Sequence, residues 1–324
     1  MYAAVNMTES KNDCEKLLHK LKKVFYGGSL SIEIEPQDAS LMTWDWQQKL
    51  LNATVSNELV KKYPIRRQFI KLFLKKIIEQ LEGKQEIHDD FYSHLCIAIN
   101  SDSDDSNSYR HYLINDENET VTIKETNKMV VNGTTGMRTW EAALMLADWA
   151  LCHKKVFSNK TILELGSGVG FTGIAIGKLC QPQCMYLSDC HPDVMKAICD
   201  NIRINYPQSQ VTEDHGTKLF TNNGRTIGAI PLDWNNIEDL PAINVPDVII
   251  GADIVYDPAI LQPLCDVLRT FFSQNKDLEV YIASVIRNEE TFELFLKYLG
   301  KMNFTYQKLL LNESVYIEWD QRIE

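Results

Sequence analysis

The chain has 324 residues, with 33 Lys and Arg against 44 Asp and Glu for a formal charge of −11, and it is 44% hydrophobic and 24% charged. That balance excludes collagen-like, wholly disordered and disulfide-scaffold chains, and the length suggests roughly two units able to bury a core. No apolar run approaches the ~20 residues of a bilayer crossing and the N-terminus MYAAVNMTESKNDCEKLL has no apolar signal segment, so a cytoplasmic protein with no membrane partner is expected.

Residues 1–99 read as helical, with apolar positions at helical spacing in short blocks. The clearest runs from Ile65 to Leu81, where Phe69, Ile70, Phe73, Leu74, Ile77, Ile78 and Leu81 form a stripe and Arg66, Arg67, Lys71 and Lys75 lie off it. Residues 61–84 hold eight Lys and Arg against Glu79 and Glu82, which reads either as a solvated basic face or as a docking surface for an acidic partner. Asn100 to Ser108 is polar and acidic with nothing apolar to bury, so residues 100–108 are expected to be a linker. Beyond it, Tyr109 to Ile114 and Thr120 to Glu125 flank the turn-rich Asn115 to Asn118 and read as a β-hairpin.

From Thr139 apolar strands alternate with amphipathic helices, the pattern of a parallel sheet covered on both faces. The expected order is helix Trp140 to His153, strand Thr161 to Leu165, helix Gly170 to Leu179, strand Cys184 to Ser188 and helix Pro192 to Tyr206. It continues with strands Thr226 to Leu232 and Asp247 to Ala252, helix Ala259 to Phe272, strand Glu279 to Val285 and helix Glu289 to Leu299. Phe304 to Leu310 and Ser314 to Trp319 are expected to close the sheet as an antiparallel hairpin. Cys180, Cys184, Cys190 and Cys199 fall close together beside His191, but no C-x-x-C pair occurs and zinc spacings are missing, so buried thiols and no metal are expected.

The sharpest signal is Ile162-Leu-Glu-Leu-Gly-Ser-Gly-Val-Gly-Phe-Thr-Gly173, an apolar strand entering a glycine-rich turn that opens a helix. Glycines at 166, 168 and 170 allow a tight turn and close backbone approach, and the helix N-terminus offers unpaired N–H groups, so a nucleoside-containing ligand is implied. Gly168-x-Gly170-x-x-Gly173 with Asp189 at the next strand's end also satisfies the dinucleotide fingerprint, which keeps an NAD-dependent oxidoreductase in view. Against it stands Glu164, inside the first strand and two residues before Gly166, where a pyrophosphate would repel a carboxylate and a cationic ligand would welcome one. E-x-G-x-G-x-G followed by an acidic strand end is the pattern of S-adenosylmethionine-dependent methyltransferases.

Gly133-Thr-Thr-Gly-Met-Arg-Thr-Trp-Glu-Ala-Ala143, Leu163-Glu-Leu-Gly-Ser-Gly168, Leu187-Ser-Asp-Cys-His191, Leu232-Asp-Trp234 and Val248-Ile-Ile-Gly-Ala-Asp-Ile-Val-Tyr256 together resemble methyltransferase family 16, the seven-strand protein-lysine methyltransferases. The resemblance covers most of the chain, is weakest over residues 1–60, and lies nearest the branch that modifies elongation factor 2, which implies that protein as substrate and partner. It implies a seven-strand Rossmann-like α/β domain over 109–324 behind a helical N-terminal region over 1–99. Its cofactor is S-adenosylmethionine, released as S-adenosylhomocysteine.

Carried over residue by residue, the resemblance puts Trp140 near the methionine end of the cofactor, its alternative being a core Trp. Gly166, Ser167 and Gly168 present backbone, Glu164 faces the positive end, Asp189 binds the ribose, Trp234 flanks adenine and Ala252 leaves room at a strand end. Asp253-Ile-Val-Tyr256 matches the family's acidic-x-x-aromatic motif, giving Asp253 the role of orienting the incoming ammonium and Tyr256 that of walling the channel. The alternative for Asp253 is a helix cap, although Asp257 before Pro258 is better placed for that. Asp-Ile-Val-Tyr lacks the prolines of the Asn/Asp-Pro-Pro-Tyr/Phe motif of nucleic-acid amino methyltransferases, so no direct nucleic-acid substrate is expected; the chain is expected to act as a monomer. A sibling lysine methyltransferase with another protein target stays open.

Overall fold

The computed structural model describes residues 2–100, 107–114, 119–239, 243–311 and 314–317. The chain divides into two compact units, Met1–Leu113 and Ile114–Glu324.

The first unit is helical: α1 Tyr2–Gly27, α2 Pro36–Leu41, α3 Trp44–Ala53, α4 Glu58–Lys62, α5 Arg67–Leu81 and α6 Asp89–Asn100, followed by strand β1 Asn107–Ile114. The stripe expected on α5 is its buried face: Phe69, Phe73, Leu74, Ile77 and Leu81 are buried, and Phe73 meets Phe25 of α1 edge-on at 4.8 Å between ring centroids. The basic side chains lie off that face, where Lys76 Nζ donates to the Leu30 carbonyl at 2.8 Å and Lys75 is exposed. Buried Gln47 meets its polar demands by donating to the carbonyls of Met42 and Glu86 and accepting from the His88 N–H. Of the expected linker, residues 101–106 lie outside the described residues, as do residues 115–118 of the expected hairpin turn.

The second unit begins with β2 Glu119–Thr126, so both segments of the expected hairpin are strands. Then follow α7 Glu141–Cys152, α8 Lys154–Phe157, β3 Thr161–Leu165, α9 Phe171–Leu179, β4 Cys184–Asp189 and α10 Pro192–Asn205. The remainder is β5 Gln210–Asp214, β6 Thr217–Asn222, β7 Arg225–Pro231, β8 Val248–Ala252, α11 Pro258–Gln274, β9 Glu279–Ala283 and α12 Glu289–Lys301. A seven-stranded sheet runs β5-β6-β7-β4-β3-β8-β9. Strands β7, β4, β3, β8 and β9 are parallel, while β6 is antiparallel to both β5 and β7.

Alternation along β3 assigns its two faces. Leu163 and Leu165 pack with Leu264, Val267, Leu268 and Phe271 of α11, whereas Glu164 between them turns to the opposite face, where α9 lies. On α10, Asn201 and Asn205 sit one turn apart, and their amides donate to and accept from the backbone of Lys124 and Thr122 on β2, standing in for a neighbouring strand. Asp257 caps α11 by accepting from the Ala259 N–H at 2.9 Å, with Pro258 opening the helix.

Two expectations about the sheet need correction. Phe304 to Leu310 forms no strand, and of the partner Ser314 to Trp319 only residues 314–317 are described, as a bend. The sheet reaches seven strands instead through β5 and β6, for which no strand was expected. Every residue of β5 is exposed, so there is no buried face to impose apolar alternation, and backbone pairing with β6 and the Lys218–Glu213 ion pair of 3.3 Å hold this edge. The signal that could have found it is local: His215-Gly216 and Asn223-Gly224 both take positive φ at successive residues, the geometry of two-residue hairpin turns.

Among the described residues no helix is long and apolar enough to cross a membrane and no cluster of His, Cys, Asp and Glu could hold a metal ion. Cys180, Cys184 and Cys199 are buried free thiols, whereas Cys190 is exposed.

Candidate active site

The strand order reverses direction at β3, with β4 on one side and β8 on the other, and ligands of open α/β sheets bind outside the carboxyl ends of the strands at such a point. Four loops meet there: the glycine-rich turn after β3 and the loops that follow β4, β8 and β9.

The turn after β3 runs through Gly166, Gly168 and Gly170 at φ of 63°, 52° and 85°, a left-handed region that glycine enters without strain. It is pinned by the Ser167 N–H donating to the Ser188 carbonyl at 2.8 Å and the Gly170 N–H donating to the Ser167 carbonyl at 2.9 Å. A side chain on Gly168 would stand 3.0 Å from the Gly136 carbonyl oxygen, so the Gly133-to-Trp140 segment crosses directly against this turn. That segment is held in turn by Asn132, whose amide donates to Asp193 on α10 at 2.8 Å, and by the Thr139 N–H donating to Glu125 on β2 at 2.9 Å.

Glu164 lies beneath the turn. It is only 2% exposed, and its carboxylate accepts from the Gly173 N–H in the first turn of α9 at 3.2 Å. Burial pushes its carboxyl up to about 8, against the pull of hydrogen bonds from Ser167, Gly173 and Thr172. The contact its carboxylate makes is thus with a helix N-terminus, reachable because Gly173 has no side chain: a Cβ there would lie 2.6 Å from Glu164 Oε2.

At the end of β4, Asp189 accepts from the N–H groups of His191 at 3.0 Å and Gly168 at 3.4 Å, so its carboxylate is tied to the glycine turn. Burial raises its pKa while those hydrogen bonds lower it. Trp234 follows β7 and its ring edge comes within 3.6 Å of where a Gly166 side chain would begin. Neighbouring Asp233 accepts from Asn235 and Asn236, a turn residue in contact with its own loop.

Ala252 ends β8 in register with Ala283 of β9. The next residue, Asp253, takes φ of 58°, an uncommon conformation for a non-glycine residue, with its N–H donating to the Ala283 carbonyl at 2.8 Å. Its side chain, 8% exposed, does not cap a helix; both oxygens are gripped by Arg287, at 2.9 Å from Nη1 and 2.8 Å from Nη2. Tyr256 is 57% exposed. Its hydroxyl pKa is raised, first by partial burial and then by the charges of Asp257 and Asp189, and lowered by a hydrogen bond with Thr135. Trp140 caps α7 from outside, its Nε1 donating to the Thr135 carbonyl at 3.1 Å. The guanidinium groups of Arg138 and Arg287 sit 4.9 and 5.3 Å from its ring centroid.

The structure therefore brings together the glycine turn, Asp189, Trp140, Asp253 and Tyr256 around one crevice, with Trp234 beside Gly166. It gives Thr135, which the sequence marked only as part of the Gly133-to-Ala143 segment, contacts with Trp140 and Tyr256, and it reveals Arg287, which the sequence did not single out. Arg287 stands four residues after the end of β9, and its position beyond the carboxyl end of a parallel strand was the available signal.

The family model for lysine methyltransferases matches residues 115–302. The chain belongs to the lysine methyltransferase family. Among its relatives, human protein-lysine N-methyltransferase EEF2KMT is 32% identical over 300 residues, covering 91% of this chain and 88% of the human one. The Bos taurus protein of the same name is 30% identical, covering 98% and 97%. Protein-lysine N-methyltransferase EFM3 of Chaetomium thermophilum is 29% identical over 57% of this chain and 53% of its own. The chain is an S-adenosylmethionine-dependent protein-lysine N-methyltransferase. The crevice fits that cofactor: a glycine cradle without room for side chains, a partly buried carboxylate at the end of β4 and an indole beside the turn.

Proposed function

We propose that this methyltransferase modifies a lysine of elongation factor 2, acting as a cytoplasmic monomer on that protein and not on nucleic acid. The observation that supports the substrate is the identity of about a third, over nine-tenths of this chain, with human protein-lysine N-methyltransferase EEF2KMT, whose name implies that target. In this reading residues 109–324 form the catalytic unit and the helical residues 1–99 a separate region joined through residues 100–108, of which Asn100 ends α6 and residues 107–108 open β1.

S-adenosylmethionine supplies a sulfonium-activated methyl group. Gly166, Ser167 and Gly168 hold the cofactor by their backbone, Asp189 accepts from the ribose hydroxyls and Trp234 flanks the purine. Trp140 and Ala252 bound the methionine end, and Glu164 sets the turn from below, its buried carboxyl lying on the side of the cofactor's cationic end, whose charge would draw it toward ionisation. Asp253 receives the substrate ammonium and Tyr256 walls the channel. A free lysine has a pKa of about 10.4 and is almost wholly protonated at neutral pH, so the site must also release that proton to solvent.

Incubation of the purified chain with methyl-labelled cofactor and elongation factor 2, followed by mass spectrometry of the labelled peptide, tests the proposal. Label on a lysine of elongation factor 2 supports it. Label on another protein or on RNA, with none on elongation factor 2, overturns the substrate assignment.

A further inference from the structure

The pairing of Asp253 with Arg287 carries an inference that rests on the role just proposed for Asp253. The two residues are 34 apart in sequence, come from the ends of adjacent strands β8 and β9, and meet through two parallel N–H···O contacts of 2.9 and 2.8 Å. The guanidinium also rests over Trp140, at 5.3 Å from the ring centroid. Three separate loops thus converge on a cation already present where a substrate ammonium is to be received. The bidentate contact uses one lone pair on each carboxylate oxygen and leaves others free, so Asp253 can accept a further hydrogen bond without losing its partner. The Arg287 side chain is 47% exposed and that of Asp253 8%, so solvent meets the guanidinium more than the carboxylate.

We propose that Arg287 is a positioning residue that aims the Asp253 carboxylate and balances its charge, so that an entering lysine is oriented by hydrogen bonding yet not stabilised as an ammonium. A lone carboxylate would hold the protonated lysine tightly and so oppose the step that must precede transfer. Beside a neutralised pair the lysine nitrogen gives its proton to water. Its lone pair then forms the new N–C bond to the methyl carbon as the C–S bond breaks, and that bond's electrons stay on sulfur to give S-adenosylhomocysteine.

Other charged and titratable groups lie on the neighbouring loops. Arg138 comes from the loop before α7 and shares the Trp140 ring with Arg287, and Tyr256, three residues beyond Asp253, is acted on by Asp257 from its own loop and by Asp189 and Cys190 from the end of β4. Glu289 and Glu290 open α12 on its exposed side. Each is the same in the wild type and in an Arg287 variant, so the difference between their pH profiles isolates Arg287.

The test is the pH dependence of kcat and KM of the full chain on elongation factor 2, for wild type, Arg287→Gln and Arg287→Lys, with S-adenosylhomocysteine affinity measured alongside. For Arg287→Gln we expect an acid limb of kcat displaced upward by about one pH unit, so a roughly tenfold loss at pH 7 that closes to within about twofold near pH 9.5. Its KM is not raised and its S-adenosylhomocysteine affinity is unchanged, and Arg287→Lys, which keeps the charge, restores the wild-type profile. A pH-independent loss overturns the inference, as does a raised KM. A gain in kcat/KM overturns it too, since the guanidinium would then only obstruct the channel. Wild type inactive on elongation factor 2, or Asp253→Asn fully active, instead brings down the underlying function reading.

Discussion

Glu164 offers the most discriminating test, because its environment makes a quantitative demand. Its carboxyl is fully buried and pushed up from 4.5 to about 8, chiefly by desolvation. The folded value lies above the unfolded one, so the neutral carboxyl's contribution is complete below pH 4.5 and is lost progressively as the pH rises to about 8. At about 1.4 kcal/mol per pH unit, some 3 kcal/mol has gone by pH 7 and close to 5 kcal/mol by pH 8. Glu164→Gln keeps the shape and an oxygen that can accept from Gly173, and it never ionises. The variant is therefore expected to match the wild type within ~1 kcal/mol at pH 4.5 and to exceed it by several kcal/mol at pH 8. Urea midpoints at half-unit steps from pH 4.5 to 8.5 give the difference curve directly. Parallel curves for the two proteins would refute the reasoning, since the carboxyl would then titrate alike folded and unfolded. Cofactor affinity in the same variant reports on the charge: a fall of tenfold or more supports service to the cationic end, and an unchanged value limits Glu164 to holding the first turn of α9.

Gly173→Ala places a Cβ 2.6 Å from Glu164 Oε2 and 2.7 Å from Leu187 Cγ, and is expected to cost about 1–3 kcal/mol in denaturation experiments. Asp189→Asn is expected to weaken cofactor binding about tenfold to a hundredfold by calorimetry while leaving kcat at saturation within a few-fold. Asp253→Ala is expected to keep S-adenosylhomocysteine affinity and to lower kcat about a hundredfold; collapse of that affinity would remove Asp253 from its assigned role. Buried Asp148 on α7 accepts from the N–H groups of Val315, Tyr316 and Ile317 at 2.9, 2.6 and 2.9 Å. Asp148→Ala is expected to cost about 2–4 kcal/mol and to expose this segment to proteolysis, and a variant as stable and protease-resistant as the wild type would contradict that.

Much of the catalytic unit was legible in the sequence because its signals are local. Parallel strands buried on both faces read as short apolar runs, as Ile162 to Leu165 and Val248 to Ile250 do, and helix starts announce themselves through Asp257-Pro258 and His191-Pro192. The glycines at 166, 168 and 170 declared a turn that needs positive φ, and each one takes it. The edge strand β5 escaped because a wholly exposed strand carries no burial pattern, and β6 beside it because Phe220 is its one buried residue, although Asn223-Gly224 marked the turn that joins β6 to β7. The expected strand at Phe304 to Leu310 did not form although β9 ends the sheet with an unpaired edge among the described residues: alternating residues permit a strand but do not by themselves supply the pairing that makes one.

The sequence by itself determined the alternation of strands and helices, the glycine turn and the acidic positions around it, since each depends on residues within one turn or one strand. Tertiary structure alone decided what those acidic groups touch. Strand alternation turns Glu164 away from α11 and onto the first turn of α9, and the adjacency of β8 and β9 brings Arg287 to Asp253 across 34 residues of chain. A carboxylate's chemistry is set by its burial and by its nearest cation, and both come from contacts that no local pattern encodes.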